Sequence, residues 1–400
     1  MQGALDGIRV LDLTQIMAGP YCTMLLADLG ADVIKIEKPV SGDDSRRMGE
    51  MVNGESAAFL TLNRNKRGIV LDLRTEGGRD LLWRLIRTAD VLVENFRPGT
   101  LEKLQLDYEA VSRDNPRIIY CSISGFGQTG PWRERGGFDL VAQAMSGVLS
   151  VTGTAETPAK VGVPISDLNA GLLASHAILA ALYSRERSGR GQYIETSLLE
   201  AAMAYTIWES NEYWVTGRTP ERLGTAHRAS APYQVFQTAD GRIAIGAANQ
   251  RTWEKLTVAL GRPELRENSA FLTNKDRMKN LPQLVETLTE IFLRSSTEEW
   301  LKRMDASGVP AGPVLTVDQV YQHPQVQARE MNLQIEHPVA GNIHTIGFPV
   351  KFSGTPATLR RAGPVLGQHT YEVMRMIGLD EEELRRLEAE GVLFDAHLDE

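Results

Sequence analysis

GIRVLDLTQIMAGPYCTMLLADLGADVIKIE, residues 7–37, holds two apolar, β-branched runs on either side of a loop and a helical stretch. Ile8–Leu13 reads as a strand and "TQIMAGP" as the loop after it. "YCTMLLADLG" reads as a helix and "ADVIKIE" as the next strand. Strand, loop, helix and strand within about 30 residues is the size of one βαβ unit. Pro20 suits the first helical turn and Gly30 its end.

The pattern recurs downstream. Gly68–Leu73 (GIVLDL) predicts a strand, "EGGRDLLWRLIRTA" a helix, and Asp90–Phe96 (DVLVENF) another strand. A further helix-like stretch begins at Thr100 and precedes the strand-like Arg117–Gly127. Strands dense in Val and Ile that alternate with helices predict an α/β fold: a large domain with a Rossmann-like, mainly parallel sheet. The expected boundaries are 1–200 for the first part of that domain and 201–224 for an aromatic and polar linker. A smaller α+β domain is expected over 225–311, opening on a hairpin about Asp240-Gly241. Residues 312–400 are expected to return to the large domain.

Composition excludes several classes of function. Of the 400 residues, 42% are hydrophobic and 24% charged, as in ordinary soluble globular proteins. A formal net charge of -8 argues against DNA or RNA as the main partner. The two cysteines, Cys22 and Cys121, lie in no disulfide or metal pattern, which fits a reducing cytoplasm. The start of the chain lacks the basic and apolar regions of a secretory signal. The most apolar run, Gly171–Tyr183, is shorter than the roughly 20 residues a membrane span needs, so no membrane partner is expected. The seven histidines have no HxH or HExxH spacing, and no metal site is expected.

The candidate chemistry lies in the loops. The first βα loop lacks Gly-x-Gly-x-x-Gly, which removes the best support for a nicotinamide enzyme, and Glu37 at the second strand's end does not restore it. Basic residues gather at Lys35, Lys38, Arg64, Lys66, Arg67, Arg74 and Lys103. At the tips of successive βα loops they would suit an anionic, nucleotide-like ligand; the alternative is a solvated charged face. The glycines of "SISGFGQTGPW" allow either a turn or close approach to a ligand. Asp167, with Ser166, stands at the predicted N-terminus of a helix over Leu168–Tyr183. It could cap that helix, or act as an oriented nucleophilic carboxylate. Spacing alone does not separate the two.

Six blocks carry a resemblance: residues 7–43, Leu62–Leu73 (LNRNKRGIVLDL), Ala89–Gly99 (ADVLVENFRPG), Gly136–Gly147 (GGFDLVAQAMSG), Val161–Gly171 (VGVPISDLNAG) and Gly308–Val314 (GVPAGPV). In this order they resemble the class III CoA-transferase family, which includes formyl-CoA and carnitine CoA-transferases. The resemblance implies that Asp167 is the nucleophile and that coenzyme A and acyl-CoA serve as substrates, with no prosthetic group. It implies that Ile16 and Ala18 approach the nucleotide through backbone and that Lys38, Arg74 and Lys103 serve its phosphates. Leu71, Asn95 and Phe96 would line the adenine and ribose region, and Phe138 would lie against the pantetheine. The family also implies an interlocked homodimer.

Departures from the family bear on the substrate. Met17 stands where formyl-CoA:oxalate enzymes carry glutamine, and "GTAHRAS" (Gly224–Ser230) stands where they carry a run of glycines. Oxalate is therefore disfavoured as acceptor. His227 and Arg228 would instead contact the distal carboxylate of a dicarboxylic acid such as succinate, or form only a surface loop. The alternatives are an α-methylacyl-CoA racemase, whose histidine position is Phe138 here, and a CoA-binding protein without catalysis.

Overall fold

The computed structural model describes residues 3–398. The described chain divides into two compact units, one of residues 3–149, 160–217 and 325–398 and one of residues 150–159 and 218–324.

In the first unit the elements that build the site are β1 (Arg9–Asp12), α1 (Ala18–Asp28), β2 (Asp32–Glu37), β3 (Lys66–Leu71), β4 (Val91–Glu94), β5 (Ile119–Ser124), α2 (Asp139–Met145), α3 (Ile165–Ser188), β6 (Tyr193–Ser197) and α4 (Ile207–Thr216). The six strands form one sheet in the order β3-β2-β1-β4-β5-β6, and every neighbouring pair among them is parallel. The parallel sheet agrees with the expectation from the repeating strand and helix pattern, and its strand order is that of a Rossmann sheet. The two-residue strand Leu393–Phe394 adds antiparallel to β3 at the edge.

Alternation along the strands explains why they read as continuous apolar runs. Leu11, Ile34, Ile69 and Leu92 face one core with the helix Glu76–Ile86 and the C-terminal helices. Val10, Val33, Val91 and Val93 face the other, against Ala18, Cys22 and Leu26 of α1 and Ala170, Ala174 and Ile178 of α3. Both faces are covered, so both alternating sets must be apolar. Burying a side chain such as Leu11 contributes roughly 1.5–3 kcal/mol.

Several boundaries differ from expectation. β3 begins at Lys66 rather than Gly68, because Lys66 and Arg67 are buried strand residues with buried or half-buried acidic partners. β4 ends at Glu94, which leaves Asn95 and Phe96 in the loop beyond it. The stretch 201–224, expected as a linker, contains the end of the helix Leu198–Met203 and all of α4. α3 runs 24 residues, well beyond Gly171–Tyr183, and is long and apolar enough on length and composition to cross a bilayer. Its buried small residues pack instead on α1 and the sheet, and a Cβ at Gly171 would lie 2.4 Å from the Ala18 carbonyl oxygen. That close approach brings the start of α3 beside the first βα loop. Gly189, in the left-handed conformation, ends the helix.

The second unit contains the antiparallel strands β7 (Tyr233–Gln237), β8 (Arg242–Gly246) and β9 (Ala311–Pro313), with β8 in the centre. The β7–β8 hairpin turns through Asp240 and Gly241. Phe236, Ile243, Trp253, Phe292 and Trp300 form its core with the surrounding helices.

Candidate active site

Strand order reverses between β1 and β4, so the loops at their carboxyl ends diverge and leave a crevice, the place where open α/β sheets bind ligands. Asn95 bridges it. Its Oδ1 accepts the Gln15 N–H at 2.8 Å and its Nδ2 donates to the Gln15 carbonyl at 2.8 Å. Two depressions flank this bridge, with Gln15 and Phe96 in the wall of both.

The first is a cavity of about 280 Å³ whose walls include Ile16, Met17, Ala18, Asn95, Phe138 and Asp167. Asp167 lies inside the first turn of α3, which begins at Ile165, and is not its cap. The capping role belongs to Asp139 at the start of α2. Its Oδ1 accepts the Ser166 N–H at 2.9 Å, while its Oδ2 accepts from Gln143 Nε2 at 2.8 Å. Gln143 in turn accepts the Val161 N–H at 2.8 Å through Oε1, so α2 holds the whole entry to α3. The Asp167 carboxylate is thereby left to the cavity.

The first turn of a helix ordinarily favours an ionised carboxylate. For Asp167, however, burial first and then the neighbouring Asp139 carboxylate raise the pKa to about 7. A carboxylate so placed is more basic, and when ionised a better nucleophile, than a solvated one.

Phe138 is 75% exposed and forms part of the cavity mouth. The loop carrying it is set by two glycines: a Cβ added to Gly125, just after β5, would lie 2.6 Å from the Gly137 Cα. Only glycine lets the two backbones meet there.

The second depression, about 420 Å³, has Ile36, Lys38, Leu71, Arg74, Phe96 and Leu101 in its walls. Apolar Leu71, Ile36 and Phe96 provide a surface for a flat base, and Lys38 and Arg74 supply positive charge at its edge. Both cations are exposed and hold neighbouring acids, Lys38 to Asp44 at 2.8 Å and Arg74 to Asp72 at 2.7 Å. Lys103 is exposed at the end of the four-residue helix Thr100–Lys103, whose Thr100 and Leu101 belong to the same wall.

The other basic candidates are not at loop tips. Lys35, Arg64, Lys66 and Arg67 are buried and paired with Asp43, Asp28, Asp12 and Asp32 at 2.7–2.9 Å. They hold the fold, since each charge buried without its partner would be costly. Glu37 likewise makes a two-pronged pair with Arg46, at 2.7 and 2.8 Å, and is unavailable to a ribose.

His227 and Arg228 lie in the second unit. His227 Nδ1 accepts the Ala229 N–H at 3.0 Å, its ring meets Tyr233 edge-on, and Arg228 donates to the Glu221 carbonyl.

Two cations went unnoticed in the sequence. Arg97 and Arg135 both line the Asp167 cavity; Arg135 stacks over Trp132 at 3.8 Å. Arg97 lies within the block Ala89–Gly99 and Arg135 directly before the block Gly136–Gly147, with Arg133 two residues before it. A larger cavity of about 510 Å³ beyond Arg97 lacks Asp167. Its Glu94, Glu102, Asp107 and Glu109 would repel an anionic substrate.

A carboxylate beside a cation-edged groove, at the switch point of a Rossmann-type sheet, is the arrangement of an α/β enzyme with an anionic, nucleotide-like substrate. The chain belongs to CoA-transferase family III, whose model matches residues 5–370. It is 40% identical over 378 residues to a succinate–glutarate CoA-transferase of Agrobacterium fabrum, covering 92% of this chain and 94% of that protein. It is 39% identical over 396 residues to the human succinyl-CoA:glutarate CoA-transferase, covering 98% and 90%. A crystal structure of a CAIB/BAIF family protein from Brucella suis superposes with a TM-score of 0.84 at 39% identity, covering 94% of this chain and all of that one.

Proposed function

We propose that this CoA-transferase moves CoA from succinyl-CoA to a dicarboxylic acceptor of glutarate type, with Asp167 as covalent nucleophile. The observation that carries the mechanism is the uncapped, half-buried Asp167 carboxylate in the wall of the crevice. The donor and acceptor rest on the names of the human and Agrobacterium relatives.

In the first exchange Asp167 attacks the thioester carbonyl and the C–S bond breaks, giving a mixed succinyl-aspartyl anhydride and CoA thiolate. The thiolate then attacks the aspartyl carbonyl, forming an aspartyl-CoA thioester and releasing succinate. In the second, the acceptor carboxylate displaces the thiolate to give a new anhydride. The thiolate attacks the acceptor's carbonyl, which releases the new acyl-CoA and regenerates Asp167. Every step acts on an activated acyl group, so no step requires a free carboxylate to lose oxide.

The remaining residues take supporting roles. The first-turn amides of α1 start at Ala18 in the cavity wall, and Met17 supplies no side-chain cap to them. They would stabilise the tetrahedral oxyanions. Arg97 and Arg135 would hold substrate carboxylates, and Lys38, Arg74 and Lys103 the CoA phosphates, with Leu71 and Phe96 against the base and Phe138 against the pantetheine. Among the described residues, the cavity's walls hold no histidine, whereas a racemase needs an imidazole opposite a carboxylate. α4 buries no residue in the single chain and exposes Ile207, Trp208, Trp214 and Val215, an apolar surface suited to a second copy in a homodimer.

The test is mass spectrometry after incubation with succinyl-CoA and trapping by hydroxylamine or borohydride. A modification on Asp167 is expected. Turnover of succinyl-CoA without any adduct there would overturn the mechanism.

A further inference from the structure

The loop between β1 and α1 is held by side chains from four different elements. Asp12 accepts the Thr14 N–H at 2.9 Å, and Lys35 of β2 donates to the Thr14 carbonyl at 2.9 Å. Asn95, just beyond β4, takes both backbone groups of Gln15. Asp43, from the segment after β2, accepts the Ile16 N–H at 3.0 Å. No regular secondary structure satisfies these peptides, so side chains do.

Ile16 is the exception in this loop. Its φ is +69°, a conformation that a β-branched residue adopts only at a cost of order 1 kcal/mol or more. Such a conformation persists where surrounding contacts overdetermine it. Here the contact is Asp43, which is itself held through Oδ1, through its N–H and by an ion pair with Lys35. Oδ1 also accepts the Ser45 N–H and Oγ, at 2.9 and 2.8 Å, and the Asp43 N–H donates to Glu37 at 2.9 Å. Lys35 Nζ lies 2.9 Å from Oδ2, and both side chains are fully shielded from solvent. Glu37 is anchored by Arg46.

The consequence reaches the site. Ile16, Met17 and Ala18 form one wall of the Asp167 cavity, and α1 starts directly after them. Were Ile16 to relax to a negative φ, the chain direction would change at the point where it enters that wall. We propose that Asp43, backed by buried Lys35, is a positioning residue: it holds the Ile16 peptide in its left-handed conformation and so sets Met17 and Ala18 along the Asp167 cavity. The inference touches neither substrate nor nucleophile directly, and its catalytic consequence rests on the transferase reading above.

The test contrasts two substitutions. Asp43→Asn keeps Oδ1 as an acceptor for Ile16 but removes the charge that pairs with buried Lys35, and Asp43→Ala removes both, so both variants should lose stability and only the Ala variant loses the acceptor. Measured on folded protein at one temperature, the Asn variant should keep kcat/KM for acyl-CoA within roughly threefold of the parent. The Ala variant should lose roughly 10- to 100-fold, through a rise in KM larger than the fall in kcat, as expected when a wall of the site is misplaced rather than removed. Equal activity in the Ala variant and the parent would overturn the proposal, and so would equal losses in both variants.

Amide hydrogen exchange in the unliganded parent keeps the inference testable should the Ala variant fail to fold. The Ile16 amide should exchange roughly 100-fold or more slowly than in an unstructured peptide. Exchange at the rate of a free loop would refute the clamp. Because that reading needs no substrate, it stands apart from the fate of the transferase assignment.

Discussion

Asp139 accepts the amide of Ser166 and, by the same placement, sets a second carboxylate against Asp167. One side chain thus does two things. It caps α3, which frees Asp167 from that duty, and it disfavours the ionised form of Asp167 beyond what burial alone does. The pair links the folding of the helix entry to the reactivity of the site.

Activity should therefore depend on a group titrating near neutrality. Asp167 is nucleophilic only when ionised, and its pKa is raised to about 7. The rate of covalent modification by acyl-CoA should rise as pH increases from 6 to 8 and then level off. Asp139→Asn removes the like charge while keeping an acceptor for Ser166, so the half-point should move to lower pH. A profile centred near 4 in the parent enzyme would contradict the placement of Asp167. Single-turnover labelling across the pH range is the measurement.

Asp167→Asn should abolish transfer while making the fold more stable. For an acid whose folded pKa is raised, the carboxyl favours the fold below its unfolded value near 4, and that advantage is lost as pH rises through about 7. Replacing it by a neutral amide should gain on the order of 1–3 kcal/mol at pH 8, allowing for partial exposure, and almost nothing at pH 4. Denaturant unfolding at the two pH values checks both sign and window. A gain equal at both would mean that charge is not the cause.

Much of the first unit was legible because its signals are local: the first βαβ unit, Pro20 and Gly30 at the helix ends, and the apolar strands. The start of α3 was not, because its cap comes from Asp139, 27 residues before Ser166. The fate of the basic residues was equally hidden. Lys35, Arg64, Lys66 and Arg67 read as possible phosphate ligands, yet each meets an aspartate brought near by packing, 8 to 54 residues away in the chain. Arg97 and Arg135 were missed for the opposite reason: 38 residues apart in the chain and in no run that reads as a phosphate site, they converge only once the loops after β4 and before α2 close on the cavity.

The two kinds of cation should separate experimentally. Arg74→Ala and Lys38→Ala remove exposed charges at the groove edge, so KM for acyl-CoA should rise by roughly 3- to 10-fold with kcat nearly constant, and the difference should shrink at high salt. Lys66→Met leaves Asp12, fully buried, without the partner it meets at 2.9 Å. That variant should lose about 3–5 kcal/mol of stability, the cost of stranding a buried charge. Steady-state kinetics and unfolding curves on the three variants decide whether charge at each position serves ligand or fold.

Gly137→Ala tests whether the loop that carries Phe138 needs its close backbone contact. A Cβ at Gly137 would lie 2.4 Å from the Gly125 Cα, closer than any side-chain carbon can rest, and the opposing atom is backbone and unable to rotate away. The segment Gly136–Phe138 would have to move out from β5. Phe138 lies in the mouth of the Asp167 cavity and Asp139 caps α3, so the displacement should reach both. The expected result is a loss of roughly 10- to 100-fold in kcat/KM for acyl-CoA, the scale seen when a site is displaced by about 1 Å. The sheet does not depend on this contact, and the far-ultraviolet circular dichroism of the variant should match the parent. Undiminished kcat/KM would show that the loop accommodates the extra carbon and that glycine at this position does not set the cavity mouth.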